Sequence, residues 1–422
     1  MPQHGPRPRS HLEDGAAGFP DQATGDARRI RRQLLAIVIE VEPLLGELMR
    51  RVARDPRPDW RARLAALGVD LEFNPTSPYW REDAWYAFNE GEVETLHDAG
   101  VEIERLVHAG VDHVVRTDRF AELGIAPQLA DLARRSWQRG DPSLYGRYDL
   151  RFDGVSPPKL LEYNADTPTA LFEASVVQWH WLEDCHSGRD QFNSIHEALI
   201  ALWTRWREDG RMARVHFSCM DDDDDVLTTA YLQDTAYQAG MDVALMAVTD
   251  IGWDGRAFLD IEERRIDALF KLYPWDWLAR EPFFVHLAAS PMRVLEPPWR
   301  VIAASKGILP VLWELFPGHP NLLPASFDAA AIDGPTVLKP LFGREGANVV
   351  VSKGEGSFAT PGDYAAMPTV CQAFAPLPSF DGWHPVMGLW MIAGVPHGLG
   401  IREDQSLVTG RKARFVPHLI EG

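Results

Sequence analysis

The stretch "RYDLRFDGVSPPKLLEYN", residues 147–164, decides how this chain is read. Two short alternating runs flank a Gly/Ser/Pro turn, the pattern of a β-hairpin. A turn centred between Val155 and Ser156 sets Asp149 opposite Glu162 and Arg147 opposite Asn164. With a side-chain period of two, Arg147, Asp149, Glu162 and Asn164 then share one face. Leu150, Phe152, Leu161 and Tyr163 take the other, and a slip of one residue would exchange the two sets. Two carboxylates and a carboxamide are hard oxygen ligands, which suit Mg²⁺ together with waters and phosphates. A charged, solvated hairpin face carries the same pattern, so this segment alone leaves both readings open.

On the N-terminal side the chain reads as helical. Residues 30–52 have helical spacing of apolar residues, with Pro43 as a break. "EGEVETLHDAGVEIERLVHAGVDHVV", residues 90–115, is a long amphipathic helix or helix pair, and "APQLADLARRSWQRG" is a helix stopped by Gly140. On the C-terminal side, residues 170–184 and 192–209 also look helical. Residues 213–248 then read as strand, acidic loop, helix and strand, one α/β unit. "IDALFKLYPWDWL" adds a strand and a turn, residues 300–325 a helix and a Pro-rich connector, and residues 384–410 a β-rich end.

Three further segments hold candidate chemistry. In "LKPLFGREGANV", residues 338–349, Lys339 ends an apolar strand, and Gly343 and Gly346 bracket a tight turn around Arg344. Such a turn can close backbone N–H groups over phosphates, but it lacks the GK[ST] of a Walker loop and the spacing of a dinucleotide fingerprint. A plain β-hairpin with a glycine turn reads the same way. In "RED", Arg402 is placed to stabilise a transferring phosphoryl group or simply to form a surface ion pair. The run Asp221–Asp225, which includes Asp223, Asp224 and Asp225, follows an apolar strand. Loops there line ligand crevices in open α/β sheets and this one suits an ammonium, although a solvated helix cap is the simpler alternative.

Bulk composition narrows the field. Lys and Arg total 42 against 61 Asp and Glu, a formal charge of −19, which disfavours a nucleic-acid partner. Cys185, Cys219 and Cys371 lie far apart and form no CxxC pair, so neither a disulfide framework nor a zinc knuckle is expected. No apolar run reaches the roughly 18 residues that span a bilayer. Residues 1–28 are rich in Pro, Gly and charge and read as a disordered lead. A cytoplasmic protein without a membrane partner is the expectation.

Taken together, "GRYDLRF", "LEYNADTPTALFE", "SKGILPVLW", "LKPLFGREGANV" and "GIREDQSLV" resemble, in this order, the synthetase portion of the glutathionylspermidine synthase family. "RPDWRARLAALGVDLEF" and "YWREDAWYAF" extend the resemblance over residues 57–422. It implies an α/β ATP-grasp-like ligase fold with a doubly wound pre-ATP-grasp part at 212–295, a helical scaffold with the hairpin at 29–211, and a nucleotide lobe at 296–422. The implied activity is ATP- and Mg²⁺-dependent joining of a small-molecule acid to an amine, similar to glutathione and a polyamine, through an acyl phosphate. A catalytically silent ATP-binding protein of the same fold is the alternative. By position, the resemblance implies Asp149, Glu162 and Asn164 for Mg²⁺, and Lys306, Lys339, Gly343, Arg344, Gly346 and Gln372 for ATP. It gives Arg147 and Arg402 to the acyl-phosphate step and Thr167 and Thr169 to the acid; the aspartate run would take the amine. The 56 residues ahead of the matching region are too few for the cysteine amidase that some family members carry, so no product hydrolysis is expected.

Overall fold

The computed structural model describes residues 48–69, 79–354 and 356–421. The expected lead at 1–28 and most of the helix expected over 30–52 fall outside that range. The last residues of that stretch are a strand, Arg50–Ala53, paired antiparallel with Ala84–Phe88. Tertiary partners override the helical spacing here. The Arg51 guanidinium donates twice to the buried Glu403 carboxylate, at 2.9 and 3.0 Å, and an extended backbone gives it that reach.

The hairpin sits at the edge of a five-stranded antiparallel sheet. Lys159–Asn164 pairs with Tyr145–Arg151, which continues through His384–Ile392 and Val395–Asp404 to Arg414–Val416. Its register is the one the turn and alternation predict, Arg147 against Asn164 and Asp149 against Glu162. One detail differs. A bulge follows Asp149, so Leu150 faces Leu160, and Leu161 turns to line the cleft instead of packing behind the sheet. Gly146 is required because a Cβ there would lie 2.3 Å from Arg300 Nη2 and 2.8 Å from the Tyr163 hydroxyl.

A second five-stranded antiparallel sheet runs in the order Ala325–Ser326, Thr369–Ala373, Thr336–Pro340, Val350–Lys353, Gly356–Ala359. A four-stranded parallel sheet orders Arg293–Leu295, Ala268–Leu272, Arg214–Cys219 and Asp242–Ala247. These sheets and the helices around them give a mixed α/β architecture.

The long segment after Asn89 is one helix, Glu90–Thr117, rather than a pair. Asn89 and Glu92 satisfy each other's backbone N–H groups in a capping box. Leu96, Ile103, Val107, Val111 and Val114 recur on its buried stripe, which packs on Ile308–Leu315 and on the hairpin's sheet. Burial of those five side chains contributes on the order of 10 kcal/mol of transfer free energy, before the entropy of ordering them. The next expected helix opens differently: Glu173–Val177 is a π-turn feeding the α-helix Gln178–His186.

Two other departures shape the cleft. The helix expected from residue 300 breaks into Arg300–Ala304 and Ile308–Leu315, with Ser305 Oγ accepting from the Gly307 N–H at the break. Lys306 stands in that interruption, its own N–H held by the Leu341 carbonyl at 2.8 Å. The aspartate run also divides, because the helix Asp223–Gln238 begins inside it. A helix start favours acidic residues in its first turn, which reduces the loop to Met220–Asp222. Among the described residues, no helix is long and apolar enough to cross a membrane.

Candidate active site

Between the hairpin, the glycine turn and the C-terminal ends of the parallel strands lies a cleft of about 650 Å³. Arg147, Asp149, Glu162, Asn164, Thr167, Thr169, Lys306, Lys339, Gly343, Arg344, Gly346, Gln372 and Arg402 all border it. Asp221, Asp222 and Asp225 form part of the opposite wall. The side chains of Asp223 and Asp224 lie outside the described set.

Asp149 is the hub of the hairpin face. Its Oδ1 accepts from Arg147 Nε at 2.7 Å, and Oδ2 accepts from Arg147 Nη2, Asn164 Nδ2 at 3.1 Å and Arg402. Burial works to raise its pKa, but the Arg147 and Arg402 guanidiniums outweigh that and lower it to about 2. Arg147 also donates to the Thr169 carbonyl at 2.7 Å, which couples the hairpin to the threonine loop. The loop's next anchor is the Pro168 carbonyl, an acceptor for the Tyr145 hydroxyl at 3.0 Å.

Glu162, across the hairpin, pairs with Lys306 at 3.2 Å. Burial pushes its carboxyl up, yet Lys306 and Lys339 hold it below the ordinary glutamate value against the repulsion of Asp149. Lys306 also donates to the Gly343 carbonyl at 2.7 Å, tying the hairpin to the glycine turn. Lys339 is differently placed. Its ammonium donates to two neutral oxygens, the Leu161 carbonyl and Gln372 Oε1, both at 2.8 Å. Burial without a directly bonded carboxylate pushes it down to about 8, with Glu162 acting in opposition through space. Gln372 completes the arrangement by donating to the Leu160 carbonyl at 3.0 Å, so its amide fixes Lys339 to the hairpin.

The glycine turn packs on the loop that follows the strand of Arg402. A Cβ at Gly346, whose φ is +67°, would lie 2.7 Å from the Thr409 carbonyl oxygen. Arg344 reaches the parallel-sheet side instead of the hairpin, donating to Asp276 at 2.8 Å and lying over the Trp277 ring at 5.0 Å.

The distribution of charge is uneven. Arg147, Lys306, Lys339 and Arg402 stand against Asp149 and Glu162, which leaves the hairpin side with two excess positive charges. The aspartates provide an anionic wall facing it. A cationic floor of this kind suits a polyphosphate, and the wall suits an ammonium. For a metal, the donor set is a carboxylate pair and a carboxamide, all hard oxygens. Among the described residues no three His, Cys, Asp or Glu side chains cluster into a cage. That set fits Mg²⁺, which is held by one or two carboxylates and completes its shell with waters and phosphates.

Sequence reasoning missed two members of the cleft. Asp166 accepts from the buried Lys271 ammonium at 2.9 Å and from the Trp275 N–H at 2.7 Å, fastening the threonine loop to the parallel sheet. Asp276 is the anchor for Arg344. A lysine inside the apolar run "ALFKL" was the available signal for the first, since a strand lysine without a solvent face needs a carboxylate.

The model of the family "Glutathionylspermidine synthase preATP-grasp" matches residues 51–421. A protein of Haemophilus influenzae named "Putative acid–amine ligase" is 38% identical over 395 residues, which is 88% of this chain and 99% of that protein. The trypanothione synthetase of Crithidia fasciculata is 26% identical over 71% of this chain and 50% of its own length. The bifunctional glutathionylspermidine synthetase/amidase of Escherichia coli is 27% identical over 80% of this chain and 59% of its own length. The chain therefore spans only about half to three-fifths of the last two relatives. With a family match that runs from the first described strand to the C-terminal one, the chain belongs to the glutathionylspermidine synthase preATP-grasp family, whose fold is ATP-grasp-like α/β.

Proposed function

We propose that the chain is an ATP- and Mg²⁺-dependent, ADP-forming ligase that joins a small-molecule carboxylic acid to an amine. The observation that carries this reading is the cationic floor of Arg147, Lys306, Lys339 and Arg402 beside the oxygen donors Asp149, Glu162 and Asn164, with an aspartate wall across one cleft. Names of the relatives supply the reaction class, an acid–amine ligation of the glutathionylspermidine type.

A carboxylate is a poor electrophile, and transfer of the terminal phosphoryl group of ATP would convert it to an acyl phosphate. Phosphoryl transfer needs positioning and charge neutralisation more than covalent help from the protein. Glu162, Asn164 and Asp149 would hold Mg²⁺, which supplies charge neutralisation on the phosphates. Lys339 and Lys306, each fixed by a carbonyl oxygen of the cleft, contribute donors on the nucleotide side; the glycine turn with Gly343, Arg344 and Gly346 covers it, and Gln372 keeps Lys339 in place. Arg147 and Arg402 lie beside Asp149, where they would receive the negative charge that moves to the acid. Thr167 and Thr169, on the loop that Arg147 and Asp166 fasten, orient the acid. The amine attacks as a neutral base, and an aspartate of the opposite wall would both hold its ammonium form and accept the proton. Amide, ADP and phosphate result.

Phosphate release, measured over pairs of acids (amino acids, short peptides, glutathione) and amines (polyamines and monoamines), tests the reading. Release that requires both partners and stops in Glu162→Gln is the expected outcome. Thermal stabilisation by ATP without release for any pair would replace it with a silent nucleotide-binding protein.

A further inference from the structure

Behind the hairpin, on the side away from the cleft, a second cavity of about 530 Å³ is bordered by Glu104, His108, Trp137, Trp206 and Trp299. His108, Trp137 and Trp299 meet edge to face, with centroids 5.1 to 5.7 Å apart and ring planes 67° to 72° from one another. Three mutually tilted rings give walls of different orientation, the arrangement that surrounds a cation with ring faces. At the base is Glu104, 8% exposed. Its carboxylate accepts from the Tyr148 hydroxyl and lies 3.2 Å from His108 Nε2 and 3.5 Å from the Tyr163 hydroxyl.

None of those three partners carries a permanent positive charge. The Arg300 guanidinium acts on Glu104 through space, lies 5.3 Å over the Trp299 ring, donates to the Ala165 and Tyr145 carbonyls and pairs with Glu296 at 3.5 Å. Burial works to raise the Glu104 carboxyl, but the His108 and Tyr148 hydrogen bonds and the Arg300 charge outweigh it and keep it below its ordinary value. The floor of the cavity is thus an ionised carboxylate whose direct contacts are an imidazole and phenols. Of the other carboxylates on the border, Asp141 has Arg139 as ion partner and Asp209 has Arg211, while Arg205 adds a cation to the rim.

We infer that this cavity is a second binding site, for a small alkylammonium cation whose charged head meets Glu104 and whose chain lies along Trp137 and Trp299. The ionised carboxylate attracts an opposite charge, and the aromatic walls attract the same ion. The site is separate from the cleft: Tyr148 and Tyr163 link them, through the two hairpin strands that also carry Arg147, Asp149, Glu162 and Asn164.

Calorimetric titration of the full chain with n-butylammonium chloride, and with 1-pentanol as its neutral counterpart, tests the inference. Saturable binding of the ammonium and none of the alcohol is expected. Glu104→Gln and Trp137→Leu are each expected to weaken at least tenfold the ammonium binding that remains in an Asp221→Asn/Asp222→Asn/Asp225→Asn background, which removes the carboxylates of the cleft wall. Arg205→Gln is expected to tighten it by about threefold, because a like charge leaves the rim. Equal binding of the alcohol overturns the inference, since the cavity would then be only apolar. Unchanged ammonium binding in Trp137→Leu also overturns it. That half-buried position decides the matter if Glu104→Gln does not fold.

Discussion

The two faces of one hairpin differ more than the two strands do. Toward the cleft, Arg147 and Arg402 pair with Asp149 and Lys306 with Glu162, while Asn164 donates to Asp149, contacts that a ligand can rearrange. Behind it, Tyr148 stacks on Tyr163 with centroids 3.9 Å apart, Arg300 lies 4.7 Å over the Tyr163 ring, and Leu150 and Leu160 are fully buried. Alternation along an extended strand makes this possible at single-residue resolution. The front face holds charge at the edge of water for exchange; the back face fixes the backbone on which those charges sit. Removing a group from one face should change turnover and spare stability, and the reverse should hold for the other.

The sharpest break is Glu162→Gln. The amide keeps the shape and loses the charge, so phosphate release is expected to fall about a hundred- to a thousandfold, the range seen when one transition-state contact is removed. Its melting temperature should stay within a few degrees of the parent. A large loss of stability with turnover intact would place Glu162 with the back face instead.

Lys339 comes next. Lys339→Met is expected to weaken ATP binding about tenfold to a hundredfold, from the roughly 1.5–3 kcal/mol of a hydrogen bond to a charged group. The sign of its pH dependence follows from burial, which lowers the ammonium to about 8. In the free protein the charge is present below that value and is lost above it. ATP affinity should therefore fall as pH rises from about 7 to about 9, with a flatter profile in Lys339→Met. Stability should move the other way: between the folded value and the ordinary lysine value the unfolded chain binds more protons, so the contribution of this group rises with pH.

The back face predicts a stability effect. In Tyr148→Phe the buried Glu104 carboxylate loses a donor, which costs about 1–3 kcal/mol. Denaturant unfolding reads that loss, and phosphate release per folded molecule is expected to match the parent.

Legibility in the sequence followed the range of the interactions. The hairpin register was legible because turn and alternation are both local, and the long helix because its stripe and cap are. The bulge that turns Leu161 into the cleft left no such trace, since it arises where the strand meets Lys339 and Gln372 from another sheet. Strand Arg50–Ala53 was hidden for the same reason: Glu403, which holds Arg51, stands more than 350 residues away. Lys306 could be singled out from its motif, but not the helix break that delivers it. Arg344 could be singled out as a cation of the glycine turn, whereas its partner Asp276 depends on how the parallel sheet meets that turn.

The smallest effect is expected at Asp225, on the wall facing the hairpin. If the amine is held there, Asp225→Asn removes one of several carboxylates that share its charge. The site is partly open to water, where one ion pair contributes about 1 kcal/mol or less and salt screens it over roughly 8–10 Å. The KM for the amine should then rise less than about fivefold, the increase should shrink at high ionic strength, and ATP affinity should not move. The two walls would thus act on different substrates. An equal change in ATP affinity would mean that the aspartates and the hairpin cations respond as one field, and the separation of a phosphate side from an amine side would fail.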